Sequence, residues 1–147
     1  GELDHPNIVP IYDLGTNDEG ALFYSMKRVR GTPWEKVFAT NGLDENLNIL
    51  VRVADAIAFA HANGVLHRDL KPENVMLTSA GRVKILDFGQ SRVSEEPSLQ
   101  TIDHNGAVVG SIYAMSPEQL GNEPLDSRTD LSSLGCVFYQ ALTLERC

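Results

Sequence analysis

Acidic, basic and amide side chains lie close together in one short stretch of the sequence. Residues 67–74 read His-Arg-Asp-Leu-Lys-Pro-Glu-Asn, which places Asp69, Lys71 and Asn74 two and three residues apart. Pro72 has no backbone N–H and opposes a continuous helix through these positions. We therefore expect a loop on which a carboxylate, an ammonium group and an amide converge on one point.

A second acidic motif, Asp87-Phe88-Gly89, begins thirteen residues after Asn74. A single Asp or Asn in a loop is usually a turn or capping residue, because its short side chain bonds the nearby backbone. That ordinary interpretation fails for the combined set, since eight contiguous residues and a separate motif would have to agree by chance. The pattern therefore indicates an active site.

Together the two motifs resemble the catalytic loop and the metal-binding loop of protein kinases. The resemblance implies that Asp69 accepts the proton of a substrate hydroxyl and that Lys71 faces the transferring phosphoryl group. A lysine at this position is typical of the Ser/Thr branch, so the acceptor is expected to be Ser or Thr on a protein substrate. Asn74 and Asp87 match the family's two Mg²⁺ ligands, in keeping with that cation's preference for oxygen.

The resemblance also implies ATP as the nucleotide. Met26 falls at the gatekeeper position, and residues 27–29 match the hinge whose Val29 backbone meets adenine. Met76 matches the residue that packs beneath the ring. Taken alone, each of Met26, Val29 and Met76 would more often be a plain core residue than a nucleotide contact. The full set expected around the nucleotide is Met26, Val29, Lys71, Glu73, Asn74, Met76 and Asp87.

Other positions resemble the parts of a kinase that support the loop. Asp130 matches the aspartate that begins the central helix and holds the catalytic loop's backbone. His67 and Phe88 match two members of a stacked apolar column, and Ile11 matches a third. His67 beside Asp69 is therefore expected to pack rather than to act as a metal ligand or general base.

The segment after the second motif resembles a substrate and regulatory loop. Ser116-Pro117-Glu118 stands where the family has Ala-Pro-Glu, and Glu118 is expected to lack the arginine partner that later helices supply. In the preceding Gly110-Ser111 pair, Ser111 would bond Asp69 and Lys71. Arg68 indicates a loop ordered by an anion. The hypothesis is that Asp103 substitutes for a phosphate or that Thr101 receives one.

Local patterns place these motifs on a coarse framework. Residues 9–14 and 21–29 are predicted to form a hairpin around the Gly-rich turn 15–20. Short strands are expected at 75–77 and 82–86 around the turn 79–81.

Helices are predicted at four places. A short helix would start at Pro33 with Thr32 as its cap and run through about Thr40. A short helix begins at Ser116, and a strongly apolar helix covers 129–143 and is expected to be buried on most sides. A long amphipathic helix is predicted at 45–62, capped by Asp44. Its predicted apolar stripe is Leu47, Leu50, Val51, Ala54, Ile57, Ala58 and His61.

The predicted fold class is α+β, with a protein kinase-like fold built from the hinge hairpin and a mostly helical C-terminal lobe. Residues 1–30 are assigned to the end of the N-lobe and the hinge, and residues 31–147 to the first part of the C-lobe. The glycine loop, the lysine strand and the later helices of a kinase are not found, so we expect a domain truncated at both ends. The 147 residues alone are expected to have little activity and an exposed hydrophobic flank, and a kinase–kinase dimer would form through the missing parts.

Composition sets limits on function and location. The net charge of −8 argues against a nucleic-acid partner, which would call for a basic patch. There is no apolar run long enough for a membrane span and no signal-peptide pattern. Cys136 and Cys147 lack metal-ligand spacing and indicate a reduced, cytoplasmic setting, while a membrane anchor in the parent protein stays open.

Two other functions remain open at this stage. A non-catalytic kinase-like scaffold would need none of the chemistry, yet Asp69, Lys71, Asn74 and Asp87 are all retained. A small-molecule phosphotransferase could use a related site, but the Ser-Pro-Glu segment argues against it. The sequence therefore favours a Ser/Thr protein kinase.

Overall fold

The computed structural model describes residues 3–18, 20, 22–88 and 114–145. The elements below all lie within these ranges. The sequence predictions that concern Gly89, Thr101, Asp103, Gly110, Ser111 and Cys147 lie outside the described residues.

The first two strands form the predicted hairpin. Strand β1 (Ile11–Thr16) pairs antiparallel with β2 (Leu22–Met26), with an irregular register between Ile11 and Asp13. The first strand begins two residues later than predicted because Val9 belongs elsewhere: its N–H donates to the carbonyl of Ile85 at 3.0 Å. The hairpin is thus confirmed, with β1 shifted by two residues and β2 shorter than predicted.

A second sheet has the order β3-β4-β5 and is antiparallel throughout. Its strands are β3 (Gly31–Pro33), β4 (Val75–Thr78) and β5 (Val83–Ile85). The sequence predicted β4 and β5 but no strand at 31–33, where Thr32 and Pro33 were expected to begin a short helix. The strand β3 was missed because it pairs with residues more than forty positions away.

Gly31 is required by that pairing. A Cβ atom at this position would lie 2.3 Å from the carbonyl oxygen of Leu77, which is closer than any real side chain approaches backbone. Glycine in a strand often marks such a close backbone approach. Gly31 is therefore a packing requirement of β3 against β4.

Helix α1 (Leu43–Ala62) ends at the predicted residue but begins two residues earlier than predicted, and it has a different cap and a different buried face. Its N-cap is Gly42, without a side-chain bond, and Asp44 lies in the first turn, where its charge favours the helix dipole. Of the predicted stripe only Ile57 is fully buried, and Val51 is 58% exposed. The buried face is Asn46, Ile49, Val53, Ala56, Ile57 and Ala60. It keeps the three- and four-residue spacing, so periodicity alone could not choose between two adjacent stripes.

The remaining helices are shorter or less buried than predicted. Pro33, rather than Thr32, caps a 3₁₀ helix over Trp34–Val37, so the helix expected through Thr40 is wrong beyond its first turn. Helix α2 (Pro117–Leu120) begins where predicted, at the cap Ser116.

Helix α3 (Ser127–Thr143) buries only one face. The expectation of burial on most sides is wrong, because Leu131 is 53% and Phe138 40% exposed. Its buried residues are Thr129, Asp130, Ser133, Val137 and Ala141. Within the described part of the chain, neither α3 nor any other helix is long and apolar enough to cross a membrane.

A single apolar core joins the 3₁₀ helix, α1, α3, β4 and β5. The largest buried member is Trp34, and the core continues from α1 through Val137 of α3 to Ile85 of β5. Leu70 and Phe88, which directly follow Asp69 and Asp87 in the two motifs, are buried in the same cluster. The backbone of both motifs is therefore fixed by the core.

Asn46 is a buried polar residue that forms hydrogen bonds inside that core. Its Oδ1 accepts from the indole N–H of Trp34 at 3.0 Å, and its Nδ2 donates to the carbonyl of Phe38 at 3.2 Å. A longer contact of 3.5 Å reaches the carbonyl of Ala141 in α3. One buried amide thus connects the 3₁₀ helix, α1 and α3.

Replacing this amide tests its importance. Asn46→Leu leaves the Trp34 N–H and the Phe38 carbonyl buried without partners, so we expect a loss of about 2–4 kcal/mol of unfolding free energy in urea denaturation. Asn48→Leu is the matched control, since Asn48 lies on the exposed side of the same helix. Equal stability of the two variants would contradict the role given to Asn46.

Candidate active site

The loop 67–74, which carries the first acidic motif, is anchored by Asp130 in the first turn of α3. This side chain is fully buried. Its Oδ1 accepts from the backbone N–H of Arg68 at 2.7 Å, and its Oδ2 accepts from the N–H of His67 at 2.8 Å. The prediction that Asp130 holds the loop's backbone is confirmed.

His61 completes the surroundings of that carboxylate and was missed in the sequence. Its Nε2 lies 2.7 Å from Asp130 Oδ2. The helical pattern had placed His61 in an apolar stripe, and no local signal links it to a residue 69 positions later. The contact joins the last turn of α1 to the first turn of α3.

Arg68 adopts a left-handed backbone conformation, with φ of +70°. This region is uncommon for residues other than glycine and costs free energy. The surrounding groups hold it: the Arg68 N–H donates to Asp130, and the Arg68 carbonyl accepts from Gln119 Nε2 at 2.6 Å. The backbone immediately before Asp69 is therefore fixed on both sides.

His67 has a packing role, as predicted. The ring is 1% exposed and meets Phe88 edge-on at a centroid distance of 4.7 Å. Nε2 lies 2.9 Å from the carbonyl of Leu86 and therefore donates to it, while Nδ1 accepts the N–H of Asp69 at 3.3 Å. Both ring nitrogens are occupied by backbone groups. Ile11, the third expected member of the column, is 41% exposed on β1.

The same burial sets the protonation of this ring. Loss of solvation lowers the pKa of His67 below its ordinary value, against the opposite effect of the Asp130 charge. The hydrogen bonds agree, because a ring that accepts through Nδ1 and donates through Nε2 is neutral. His67 is thus a neutral imidazole in the folded protein.

The structure brings Asp69, Lys71 and Asn74 together. Lys71 Nζ lies 2.7 Å from Asp69 Oδ2. Asn74 Nδ2 donates to the Asp69 carbonyl at 2.8 Å and to Asp69 Oδ2 at 3.2 Å. Pro72 opens a 3₁₀ turn, Pro72–Asn74, that turns the chain back and allows these contacts. The expected convergence on one point is present.

Asp87 is joined to this group through the backbone. The N–H of Leu86, the preceding residue, donates to the Asn74 carbonyl at 2.8 Å. Asp87 itself is left-handed, with φ of +63°, and its Oδ1 accepts from the hydroxyl of Tyr24 at 2.9 Å. Tyr24 was not identified in the sequence. It lies two residues before Met26 on β2, so the two share a strand face.

The donor set of Asn74 and Asp87 fits Mg²⁺. Since Asn74 uses Nδ2 for Asp69, its Oδ1 remains the atom able to bind a cation, and Asp87 adds a carboxylate. Among the described residues no group of three or more His, Cys, Asp or Glu could hold a metal by itself. Mg²⁺ commonly takes only one or two protein oxygens and completes its shell with phosphate and water.

The other predicted nucleotide-binding residues are distributed over β2, the link from β2 to β3, β4 and the 3₁₀ turn. Met26 ends β2 and is 36% exposed, and Val29 lies in the link from β2 to β3. Met76 on β4 pairs with Pro33, and Glu73 lies in the 3₁₀ turn beside Asn74. Their roles with ATP stay predictions.

Helix α2 is fastened to α3 near the loop. Thr129 Oγ1 donates to Glu118 Oε1 at 2.8 Å, and Ser133 Oγ donates to the Ala114 carbonyl at 2.8 Å. The backbone N–H of Glu118 and the Thr129 hydroxyl lower the pKa of the Glu118 carboxyl. Glu118, expected to lack an arginine partner, thus has a hydroxyl partner within the described residues.

Comparison with known proteins gives consistent matches. A family model described as protein kinase domain matches residues 1–147. Serine/threonine-protein kinase PrkC of Bacillus subtilis is 39% identical over 144 residues, covering 96% of this chain and 22% of that protein. Serine/threonine-protein kinase PknB of Mycobacterium tuberculosis is 36% identical over 149 residues, covering 97% and 24%. A probable serine/threonine-protein kinase of Clostridium acetobutylicum is 40% identical over 144 residues, covering 96% and 21%. The chain thus spans about a fifth to a quarter of the length of these relatives.

The neutral state of His67 predicts a pH dependence of stability. Because the folded pKa is lowered, the unfolded chain binds a proton more readily, so the free energy of unfolding falls as pH drops below about 6.5. His67→Phe keeps an aromatic ring against Phe88 but cannot titrate. We expect it to lose about 1–2 kcal/mol at neutral pH, from the lost bond to Leu86, and to show a flatter stability profile between pH 5 and 6.5.

Urea unfolding at a series of pH values measures this profile. Glu118 and Asp126, whose pKa values are lowered, lose their contributions only below about pH 4.5 and do not overlap with this window. Parallel profiles for the wild type and His67→Phe between pH 5 and 6.5 would show that His67 is not the titrating group.

Proposed function

The chain belongs to the protein kinase family, and on that premise we propose that the protein it belongs to transfers the γ-phosphoryl group of ATP to Ser and Thr hydroxyls of other proteins. The observation that carries this proposal is the grouping of Asp69, Lys71 and Asn74 within hydrogen-bond distance. Asp87 is tied to the same group through the Leu86–Asn74 backbone bond. The names of the relatives support Ser and Thr as acceptors.

Asp69 is assigned the role of accepting the proton of the substrate hydroxyl. The contacts from Lys71 and Asn74 both fall on Oδ2, so Oδ1 is the oxygen that can accept the hydroxyl proton. Its side chain is about half exposed, which leaves room for a protein substrate to approach. A base needs hydrogen-bond reach to the proton it takes before its pKa matters, and the exposed oxygen allows that reach.

Lys71 is assigned the role of stabilising the charge on the transferring phosphoryl group. Its side chain is 24% exposed, and its Nζ lies 2.7 Å from Asp69 Oδ2, so the ammonium group holds the carboxylate of the assigned base. A cation placed where charge develops stabilises the transition state without reorganisation. Lys71 therefore links the acceptor side of the site to the phosphate side.

Asn74 and Asp87 are assigned the role of binding the metal ion. When bound, Mg²⁺ with ATP supplies the phosphoryl group and neutralises its oxygens. Asn74 would offer Oδ1, and its Nδ2 keeps the ligand oriented through the two bonds to Asp69. Asp87 would offer its carboxylate, with Tyr24 fixing the position of Oδ1. Met26, Val29, Glu73 and Met76 are proposed to bind the nucleotide from the hinge side.

Removing the assigned base tests this function. Asp69→Asn keeps the shape and the contact with Asn74 but removes the proton acceptor, so we expect kcat for phosphate transfer from ATP to a protein substrate to fall by about 10²–10⁴-fold. Asp55→Asn makes the same change at an exposed position of α1 and should leave kcat unchanged. Phosphoamino-acid analysis should find phosphoserine and phosphothreonine.

The opposite results have a clear meaning. Phosphotyrosine as the main product would overturn the assignment of the acceptor. Nucleotide binding by the wild type without any transfer, and no difference for Asp69→Asn, would favour the non-catalytic scaffold instead.

A further inference from the structure

The side-chain amide of Gln119 connects two separate backbone segments. Nε2 donates to the carbonyl of Arg68 at 2.6 Å, and Oε1 accepts from the N–H of Ser116 at 3.0 Å. One partner is a carbonyl and the other an N–H, so their fixed roles determine which end of the amide faces each. Gln119 therefore links the first turn of α2 to the loop that carries Asp69.

The peptide group that Gln119 holds is the one directly before Asp69. Arg68 is left-handed, and its two neighbouring peptide groups are fixed by different residues: Asp130 takes the N–H and Gln119 bonds the carbonyl. Fixing both peptide groups fixes φ and ψ of Arg68. The direction in which Asp69 leaves the loop depends on these two angles.

Helix α2 is a firm support for this contact. Ser116 is fully buried and caps α2, with its Oγ accepting from the Gln119 N–H at 3.3 Å. The Glu118–Thr129 and Ala114–Ser133 bonds attach the same segment to α3. Both restraints on Arg68 therefore depend on α3. Asp130 belongs to α3 itself, and Gln119 belongs to α2, which is hydrogen-bonded to α3.

We propose that Gln119 is a positioning residue that couples α2 to the orientation of Asp69 through the Arg68 carbonyl. A displacement of α2 releases that carbonyl and leaves the peptide before Asp69 with the weaker 3.3 Å bond from the Asp69 N–H to His67 Nδ1. The peptide can then rotate and move the carboxylate away from its place beside Lys71 and Asn74. The proposal rests on the proposed function, because Asp69 is the base assigned there.

Two substitutions separate positioning from simple helix stability. Gln119→Glu keeps the acceptor for the Ser116 N–H, since a capping box accommodates Glu as well as Gln. It has no N–H for Arg68 and sets a carboxylate against a carbonyl oxygen. Ser116→Ala does the reverse, because it weakens the cap of α2 but leaves the Gln119 amide and its bond to Arg68 in place.

Kinetics on the protein at full length give the first readout. We expect Gln119→Glu to lower kcat by about 10- to 100-fold, because a small misplacement of a reacting group costs that much. The KM for ATP should change by less than about twofold, since binding of ATP does not involve the displaced carboxylate. Ser116→Ala should lower the thermal midpoint and keep kcat near that of the wild type. Wild-type kcat in Gln119→Glu, or an equal fall of kcat in Ser116→Ala, would overturn the proposal.

Nuclear magnetic resonance gives a readout independent of activity. Asn74 Nδ2 donates to Asp69, so its side-chain amide resonances report the position of Asp69. They should shift in Gln119→Glu and not in Ser116→Ala, and the wild type should show scalar coupling from Gln119 Nε2 to the Arg68 carbonyl carbon. Absence of that coupling overturns the inference even in an active kinase. Its presence together with the Asn74 shift, in a protein without phosphate transfer, supports the coupling and rejects the proposed function alone.

Discussion

A buried carboxylate determines the geometry of the whole site. Asp130 has no exposed surface, and a charge removed from water is costly unless several donors surround it. Those donors are the N–H groups of His67 and Arg68, with the ring of His61 beside them. The need to satisfy one carboxylate therefore fixes α1, α3 and the catalytic loop relative to one another.

The site also contains two residues in an unfavourable backbone conformation. Arg68 precedes the assigned base and Asp87 is an assigned metal ligand, and both have positive φ without being glycine. Such strain costs of order 1–3 kcal/mol and persists only where the surroundings over-determine it. Here buried neighbours, Leu70 and Phe88, and the side-chain bonds to Arg68 and Asp87 maintain it. Part of the stability of the core thus offsets the strain of the backbone that orients the carboxylates of Asp69 and Asp87.

The sequence predicted the features that depend on neighbouring residues or on a distinctive motif. The hairpin, β4 and β5 followed from residue types and spacing, and Asp130 as the anchor followed from the resemblance of the two motifs and their surroundings to protein kinases. The strand β3 and the buried face of α1 did not, because pairing with β4 and packing on α3 decide them. Tyr24, His61 and Gln119 were missed for the same reason. Their bonding partners Asp87, Asp130 and Arg68 lie 63, 69 and 51 positions away in the sequence, and a contact over such a separation leaves no local pattern. Phe138 and Leu131 looked like core because hydropathy does not reveal what covers a helix.

The central claim, that the Asp130 carboxylate holds the catalytic loop, is tested most directly by amide hydrogen exchange in Asp130→Asn. The substitution keeps size but replaces one charged acceptor by a donor that faces the N–H groups of His67 and Arg68. We expect exchange at these two amides to accelerate by at least about 100-fold relative to the buried Val53 amide of α1, because breaking a buried charged contact costs roughly 3 kcal/mol or more. Unchanged protection of His67 and Arg68 relative to Val53 would contradict the account.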